Sequence, residues 1–464
     1  MSSSSVSEKR FSLIALGVIA ILVFAKTLLN PLGLLDDLWN YNVCRAFAMG
    51  YVPYRDYNMV MMPFFIWLFG IPLLISRTFF FYRVCCSIFL TAVGFGLYKT
   101  ASRLTDKYWG LLTAVGFVML LDVATYNGII LLIVALIFRM LIGVIDVRKA
   151  AVIGLMCAIA VLCRQTTGVF LTIAVFVLIL RSKEQRKFIK GFLGAWMSVM
   201  VLFAVYLFAT GSFFQFWDYC LFALFAPGQS TAAASTDSAV VVALTLGGII
   251  ADVVLISKNK KEYKLHLVLG LMLTSIGIPV VDNMHLLYSG IWFAIPIIRI
   301  AVADGKREIR PVIINLITVM MSACILFLSI YGLAGTQLYD EYNELKLIPV
   351  PQSFLDGYAE LSAISNKYEQ EGKNVVMFSS CTVIVSLMNE EFHPPYDLFL
   401  TGNLGSKSPV SYAEEACADN NNVILVPDTY NEENWTNPDG ILEYIQEHCE
   451  PVESYANFTW YVPK

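Results

Sequence analysis

The chain has 464 residues, of which 57% are hydrophobic and only 15% are charged. A soluble domain carries about 25% charged residues, so this composition predicts a protein whose main solvent is lipid. The net charge of -4 is small and the basic residues form no large patch, which excludes a nucleic-acid partner. We therefore expect an integral membrane protein.

Ten cysteines are scattered along the chain without a CxxC pair or a metal-ligand spacing. This distribution excludes a zinc ribbon and a dithiol redox motif. Cysteines inside apolar helices are usually small buried hydrophobic residues. In the C-terminal part, Cys381, Cys417 and Cys449 are odd in number and cannot all pair, and we expect no disulfide among them.

The first apolar run, 11–29, follows Lys9 and Arg10 and has no small-residue cleavage pattern before Pro31, so we interpret it as an uncleaved membrane span. Similar runs of about 15 to 22 residues recur after it, the length that a helix needs to cross hydrocarbon. The sequence thus predicts about eleven transmembrane helices. The later runs are 84–104, 108–122, 128–145, 150–163, 166–181, 191–210, 238–256, 265–281, 285–300 and 311–333.

Basic residues occupy every second connection between these runs. Cytoplasmic connections carry the excess of Lys and Arg in membrane proteins. The alternation therefore predicts a multi-pass plasma-membrane protein with a cytoplasmic N-terminus and an extracytoplasmic C-terminal part. The clusters are Lys9/Arg10, Lys99/Arg103/Lys107, Arg148/Lys149, Arg181/Lys183/Arg186/Lys187/Lys190, Lys258/Lys260/Lys261/Lys264 and Lys306/Arg307/Arg310.

Two of the outer connections, 30–83 and 211–237, are extended, and long loops at a membrane usually carry function. Within the first, the apolar segment 62–76 is interrupted by Pro63 and Pro72, which favours a helix lying in the interface over a full span. If this segment did cross the membrane, the orientation of everything downstream would be inverted.

The composition after Tyr331 is that of an ordinary globular domain, with two segments patterned as buried strands and two as amphipathic helices. The predicted fold is therefore mostly α, with a polytopic helical membrane domain over 1–333 and a small α/β extracytoplasmic domain over 334–464. The predicted strands are 374–380 and 422–428, and the predicted helices are 353–372 and 438–450.

An acidic pair, Asp36 and Asp37, stands immediately after the first span. One interpretation is a solvated acidic cap at the start of a helix. The other is a general base or a metal ligand, because a carboxylate at the lipid edge can take a proton from an acceptor hydroxyl. The residues alone leave both interpretations open.

Several basic residues on the outer side are candidates for binding an anion. Arg164 and Gln165 lie between two apolar runs with no acidic residue nearby, which favours a phosphate partner. Arg55 and Asp56 would alternatively pin the first outer loop through a local ion pair. Arg83 lies beside an aromatic stretch, where a snorkelling role at the interface is an alternative.

Further polar residues occur at the outer turns. His285 shares a tight turn with Asp282, and a titratable side chain at a membrane mouth indicates function, although a lone histidine is usually structural. Tyr126 and Asn127 occupy another outer turn, and Asp218 lies in the second long loop. Such groups suit sugar recognition, but aromatic residues are equally expected in a membrane belt.

Four pieces of sequence occur in a suggestive order along the chain. The acidic pair is followed by an arginine-bearing segment and by GYVPYRDY (50–57), and TYNG (125–128) opens a span. CRQTTG (163–168) lies at an outer helix end, and DNMH (282–285) connects two late spans. Together they resemble the C-type glycosyltransferase superfamily, polytopic enzymes that use polyprenyl-phosphate sugars.

The resemblance implies an inverting transfer in which an acidic residue of the first outer loop activates the acceptor and a lipid phosphate leaves. Asp36 and Asp37 would be catalytic, with Asp36 favoured, although the family often has aspartate followed by glutamate. Donor-phosphate binding would fall to Arg164, His285, Arg55 and Arg83, and substrate binding to Tyr54, Asp56, Tyr126, Asn127, Gln165, Asp218 and Asp282.

The partners implied are a polyprenyl-phosphate sugar, a glycan, lipid or protein acceptor, and membrane lipid, for a hexosyl- or pentosyltransferase of cell-envelope polysaccharide. The sequence identifies no certain cofactor, but carboxylate oxygens suit hard cations, so a divalent metal ion stays open. The main alternative is a lipid or solute transporter or flippase, although the repeats and paired broken helices of such folds are not evident. A non-catalytic assembly protein is a third class.

Overall fold

The computed structural model describes residues 3–33, 36–121, 124–181, 185–222, 239–278, 283–302, 310–339, 343–378, 404–428 and 440–464. The predicted site residue Asp282 lies outside them. The chain divides into two compact units. The first unit comprises Met1–Asn30, Arg83–Phe203 and Thr231–Gly332, and the second comprises Pro31–Tyr82, Ala204–Ser230 and Leu333–Lys464.

Helices dominate the described residues, because an apolar segment in lipid must satisfy its own backbone N–H and C=O groups. The helices are α1 (Ser3–Leu28), α2 (Asp36–Ala48), α3 (Phe64–Leu73), α4 (Phe79–Leu104), α5 (Lys107–Leu120), α6 (Tyr126–Ile142), α7 (Val147–Cys163), α8 (Gln165–Leu180), α9 (Gln185–Thr210), α10 (Phe213–Trp217), α11 (Ala239–Ser257), α12 (Glu262–Thr274), α13 (Asn283–Val302), α14 (Arg310–Tyr331), α15 (Gln352–Gln370), α16 (Pro409–Cys417) and α17 (Ile441–His448). The strands are β1 (Thr336–Leu338), β2 (Pro349–Pro351), β3 (Asn374–Met377), β4 (Asn422–Pro427), β5 (Cys449–Tyr455) and β6 (Phe458–Pro463).

Each apolar run predicted to span the membrane falls on a helix, namely α1, α4 to α9, and α11 to α14. Six of these helices, α1, α4, α9, α11, α13 and α14, are long and apolar enough to cross a membrane. The others have 13 to 17 residues, fewer than the roughly 20 that a crossing requires. The mostly helical fold is confirmed, and the number of eleven crossings stays a prediction.

Glycines allow the helices of the first unit to approach one another closely. A Cβ atom on Gly154 of α7 would lie 2.2 Å from the carbonyl oxygen of Phe192 in α9, and one on Gly248 of α11 would lie 2.2 Å from that of Phe293 in α13. Small residues are the usual means by which membrane helices pack, because lipid supplies little hydrophobic force between them.

A polar pair is also buried between the helices of the first unit. Nδ1 of His266 lies 2.8 Å from Oδ2 of Asp252, and both side chains are fully buried. The His266 ring stacks on Trp292, whose Nε1 donates a hydrogen bond to the His266 carbonyl at 3.1 Å. Ionisable residues inside a membrane domain usually face each other in this way, so the pair joins α11, α12 and α13.

The second unit contains the apolar segment of the first outer connection as α3. This helix has ten residues and is therefore about 15 Å long, half of what the hydrocarbon core requires. It packs on α2, where a Cβ on Gly70 would lie 2.8 Å from the Phe47 ring. The segment is too short to be a full span, as its prolines predicted.

The C-terminal residues of the second unit form a four-stranded sheet in the order β3-β4-β6-β5. Strands β3 and β4 are parallel, and the pairs β4–β6 and β5–β6 are antiparallel. Alternate residues of β4 enter two hydrophobic clusters, Ile424 and Val426 with α16 and α17, and Val423 and Leu425 with α15. This arrangement places helices on both sides of the sheet, as a layered α/β domain requires.

The boundaries of the predicted C-terminal elements differ from those observed. The predicted helix 438–450 is shorter, because α17 ends at His448 and Cys449 begins β5. The β5–β6 hairpin was not predicted. Most of β5 is only partly buried and carries glutamates, so it lacks the continuous apolar run that identified β3 and β4.

Replacement of Gly168 by alanine tests the close packing of α7 on α8. Its added Cβ would lie 2.2 Å from the backbone nitrogen of Val161, so we expect a loss of about 1 to 3 kcal/mol in stability. Gly194→Ala in α9 is the matched control, since nothing lies within 4 Å of its added Cβ. Thermal unfolding in detergent measures both, and equal midpoints for the two variants would contradict this packing.

Candidate functional site

Arg164 is the single residue that separates α7 from α8. Its extended backbone (φ −151°, ψ 107°) breaks the helix, while its N–H still donates to the carbonyl of Ala160 and its own carbonyl accepts from the N–H of Gly168. Gly168 lets the two helices meet at this break because it has no Cβ to strike the backbone of Val161. The close helix pair thereby holds Arg164 in one place.

The side chain of Arg164 is only 8% exposed, and its described partners are all uncharged. Nη1 donates to Oδ1 of Asn127 at 3.2 Å, and Nη2 donates to the carbonyl of Ile278 at 3.1 Å and to that of Ile276. The guanidinium also lies 5.5 Å from the ring centre of Tyr126. Within the described residues Nε has no hydrogen-bond partner. Arg164 is therefore a buried cation with one donor still available.

Four helix ends meet around Arg164, those of α6, α7, α8 and α12. The side chain contacts the start of α6 and the turn that follows α12, and the residue itself ends α7 and precedes α8. The hydroxyl of Ser275 donates to that of Thr167 at 3.1 Å, which joins α12 to α8. The hydroxyls of Thr125 and Tyr288 lie 3.0 Å apart, which joins α6 to α13. Two of these ends, those of α6 and α8, are helix N-termini, whose first N–H groups and dipoles favour an anion.

The other predicted site residues of the first unit lie on α8, α13 and α4. Gln165 is the first residue of α8, and His285 lies in the first turn of α13, both half-buried. Arg83 is 1% exposed and donates through Nη1 to the carbonyl of Asn30, just beyond α1. The structure thus brings Tyr126 and Asn127 to Arg164, whereas Arg83 holds the chain after the first span.

Asp36 and Asp37 form the first turn of α2 in the second unit. Asp36 is exposed and Asp37 is half-buried. Acidic residues stabilise the N-terminal turn of a helix, so the placement satisfies the interpretation as an acidic cap. It also leaves the carboxylate of Asp36 accessible, as a general base requires, and the catalytic role stays a prediction.

Helix α2 is held by a buried ion pair that the sequence analysis missed. Arg45 is fully buried and its Nε pairs with Oε2 of Glu344, while Oε1 of Glu344 lies 3.9 Å from Nε of Arg77. Tyr41, one turn before Arg45, donates its hydroxyl hydrogen to the Arg77 carbonyl. Glu344 lies in the predicted C-terminal domain, far from Arg45 in the chain, so no sequence spacing points to the pair.

The loop after α2 is fixed by its own side chains. Arg55 makes a two-pronged ion pair with Asp56, at 2.7 Å from Nε and 2.9 Å from Nη2, and donates to the Thr210 carbonyl at 3.2 Å. The Arg55 hydrogen bond holds the pKa of the Asp56 carboxyl below its usual range. The buried Tyr54, at φ +70°, donates its hydroxyl to the Met61 carbonyl. These contacts are those expected if Arg55 and Asp56 pin the loop.

Asp218, in the π-helical turn after α10, is also engaged within the second unit. Its carboxylate accepts from the backbone N–H of Ser406 at 3.1 Å and from the Ser406 hydroxyl. Gly405 (φ +72°) is required there, since a Cβ would lie 2.3 Å from Oδ2 of Asp218. Asp218 therefore links the second long connection to the C-terminal sheet domain.

The carboxylates of the described residues do not assemble a metal site. No group of three His, Cys, Asp or Glu side chains comes together within them. Asp36 and Asp37 alone would supply fewer ligands than a divalent cation normally takes from a protein cage. We therefore assign no step to a metal ion.

Replacement of Glu344 by glutamine would leave Arg45 buried without its counter-charge, and breaking a buried pair typically costs about 3 to 5 kcal/mol. We expect a clear drop in the thermal midpoint of the full-length protein in detergent. Glu415→Gln is the control, because its pair with Lys407 is exposed and such pairs contribute about 1 kcal/mol or less. Equal midpoints for the two variants would show that the Arg45–Glu344 pair does not hold α2.

Comparison with solved structures identifies similar folds. The crystal structure of the Archaeoglobus fulgidus oligosaccharyltransferase in complex with Zn and sulfate matches with a TM-score of 0.51 at 11% identity, covering 97% of this chain and 73% of that one. ArnT from Cupriavidus metallidurans in the apo state matches with a TM-score of 0.49 at 14% identity, covering 95% and 85%. No protein-family model and no curated protein matches the sequence. The first likeness shows that this chain shares the fold of that oligosaccharyltransferase.

Proposed function

We propose that this protein is a membrane glycosyltransferase that moves a sugar, with inversion, from a polyprenyl-phosphate carrier to an acceptor on the non-cytoplasmic face. The observation that carries the proposal is Arg164, a buried guanidinium whose partners among the described residues are uncharged, at the meeting point of the N-termini of α6 and α8. In a C-type glycosyltransferase fold, such a site suits the phosphate of the lipid-linked donor.

Electrostatics favours an anion beside Arg164. Carbonyl and amide oxygens satisfy part of the guanidinium, but they do not neutralise its charge, and burial of an unpaired charge costs several kcal/mol. A phosphate would supply the counter-charge that the described residues do not provide, and it could accept a hydrogen bond from Nε, which has no partner among them. As the sugar leaves, negative charge grows on the phosphate, so the same contact would be stronger in the transition state.

The lengths of the helices around Arg164 support a site below the membrane surface. The four helices α6, α7, α8 and α12 have 13 to 17 residues, hence lengths of about 20 to 26 Å, against about 30 Å of hydrocarbon. Non-helical backbone such as that of Arg164 and Ile278 is tolerated at membrane depth where it lines a cavity. A lipid phosphate would enter such a recess from the bilayer.

The predicted topology places this site on the outer side. The connections α5–α6, α7–α8 and α12–α13 lack the basic clusters that mark cytoplasmic connections, and all three meet at Arg164. The long connections predicted to be outside also share one compact unit with the C-terminal domain. The charge pattern therefore puts the proposed site on the same side as the C-terminal domain.

The chemistry would run as a single displacement. The Asp36 carboxylate takes the proton of an acceptor hydroxyl, with Asp37 as the alternative base, and the acceptor oxygen attacks the anomeric carbon. The bond from that carbon to the phosphate oxygen breaks, and its electron pair leaves with the lipid phosphate held by Arg164. Attack from the face opposite the leaving group inverts the anomeric configuration.

A donor panel tests the proposal directly. The purified protein, incubated with polyprenyl-phosphate sugars and with membranes as the source of acceptor, should release the free lipid phosphate from one donor class. The Arg164→Ala variant serves as the blank. A protein that moves labelled lipid across proteoliposomes without releasing lipid phosphate would be a flippase, and the proposal would be wrong.

Arg164→Lys should lower the catalytic efficiency for the donor at least about tenfold. The lysine ammonium keeps the charge but cannot donate two parallel hydrogen bonds to a phosphate as a guanidinium does. One charge-assisted hydrogen bond contributes about 1.5 to 3 kcal/mol. Arg181→Lys is the control, because Arg181 caps the opposite end of α8 and is exposed. Catalytic efficiency is measured from rates at varied donor concentration. If the Arg164→Lys variant matched the parent as closely as the control does, Arg164 would not bind the donor.

Asp36→Asn should reduce turnover by about 100-fold to 10,000-fold, the usual contribution of a general base, with the thermal midpoint unchanged. Asp37→Asn and Asp106→Asn are the comparison variants, the second removing a capping carboxylate from α5. Single-turnover transfer rates decide the role. Loss of turnover only in Asp37→Asn would move the base to that residue, and full activity in both would refute the mechanism.

The orientation is tested by thiol labelling in intact cells. A cysteine in place of Lys187 should react with an impermeant reagent only after permeabilisation, whereas one in place of the exposed Lys346 should react at once. The parent chain supplies the background from native cysteines. Immediate labelling at position 187 would show that the predicted topology is inverted and would contradict the outer location of the site.

A further inference from the structure

Two cysteines far apart in the sequence lie side by side in the C-terminal domain. Cys417 is the last residue of α16 and Cys449 is the first residue of β5, and their Sγ atoms are 3.0 Å apart. A disulfide bond is about 2 Å long, so a movement of about 1 Å would join them. The sequence count of three C-terminal cysteines did not reveal this pair.

Both cysteines are held by regular structure. Cys449 is buried in the hydrophobic cluster of α16, α17 and one face of the sheet, and Cys417 packs against that cluster. Strand β5 is paired with β6 from Cys449 onward, where Cys449 is opposite Pro463. The sulfur atoms are therefore adjacent because the end of α16 packs next to the start of β5.

We infer that Cys417 and Cys449 form a structural disulfide once the C-terminal domain reaches the non-cytoplasmic side. The oxidant is a thiol–disulfide oxidoreductase of that compartment. The two S–H bonds break, one S–S bond forms between the cysteines, and the two electrons and two protons pass to the enzyme disulfide, which becomes a dithiol. Disulfides form and persist in such compartments and are rare in the cytosol.

The environment of the thiols indicates when the exchange takes place. Burial raises the pKa of both the Cys417 and the Cys449 thiols, so little of the attacking thiolate is present in the folded domain. The exchange therefore belongs to folding, while α17 is still docking and the oxidoreductase can reach the sulfurs. After folding, the same burial protects the bond from reductants.

The bond would close the segment from 417 to 449, which contains β4 and α17. It would join the end of α16 to the strand that follows α17, on one face of the sheet. A cross-link of this kind stabilises a domain mainly by restricting its unfolded chain. The proposal does not depend on glycosyl transfer.

Peptide mapping of the full-length protein tests the bond. The protein is produced in the plasma membrane and purified in detergent without reductant. It is then denatured in the presence of iodoacetamide, which alkylates free thiols, and digested. We expect one peptide containing Cys417 linked to one containing Cys449, replaced by two alkylated peptides after prior reduction. Alkylation of both cysteines without reduction, or a link from either to Cys381, would overturn the inference.

Two variants make the result specific. Cys381→Ser should leave the linked peptide intact, and Cys417→Ser should abolish it and leave Cys449 alkylated. Reduction should lower the thermal midpoint of the parent by several degrees and leave that of the double variant Cys417→Ser/Cys449→Ser unchanged. An equal effect of reductant on both proteins would show that the bond stabilises nothing and would count against a structural disulfide.

Discussion

A charge cannot stay in hydrocarbon without a partner, and this constraint organises the membrane part of the protein. The long apolar helices carry their ionisable residues at their ends or in pairs such as Asp252 and His266. Arg164 departs from that rule, since it is buried at a helix break among uncharged partners. Its surroundings supply dipoles but no described counter-charge, and the proposed donor phosphate completes the arrangement.

The second unit obeys the same constraint with a different solution. Arg45 is more completely buried than Arg164, but it has a carboxylate partner in Glu344, and this pair joins α2 to the start of the C-terminal domain. Asp218 joins the other long connection to Ser406. The C-terminal domain therefore contacts both long connections and braces the helix that carries Asp36 and Asp37.

This bracing would give the C-terminal domain a role in positioning α2. A residue at the start of α2 can act as a base only if the helix is held in one orientation. Arg45 and Tyr41 of α2 supply that restraint through their contacts with Glu344 and the Arg77 carbonyl, and Arg77 in turn lies near Glu344. Changes in the segment around Glu344 should consequently affect turnover as well as stability.

The sequence by itself determined the class of protein, the positions of the apolar helices and the likeness to the C-type glycosyltransferases. Apolar runs of spanning length have few alternatives in lipid, where a helix is the simple way to satisfy the backbone. The strands β3 and β4 were predictable for a similar reason, because a continuous apolar run marks a strand buried on both faces. Hairpin strand β5, with its exposed glutamates, carries no such signal.

Only the tertiary structure decided which polar residues meet. Asn127 and Ile278 reach Arg164 from helices that are distant in the chain, Glu344 reaches Arg45, and Cys449 reaches Cys417. Hydrophobic periodicity records which face of an element is buried, but not which other element covers it. Pairing between distant residues depends on helix packing. The sequence therefore shows which residues are charged, but their partners are known only from the folded structure.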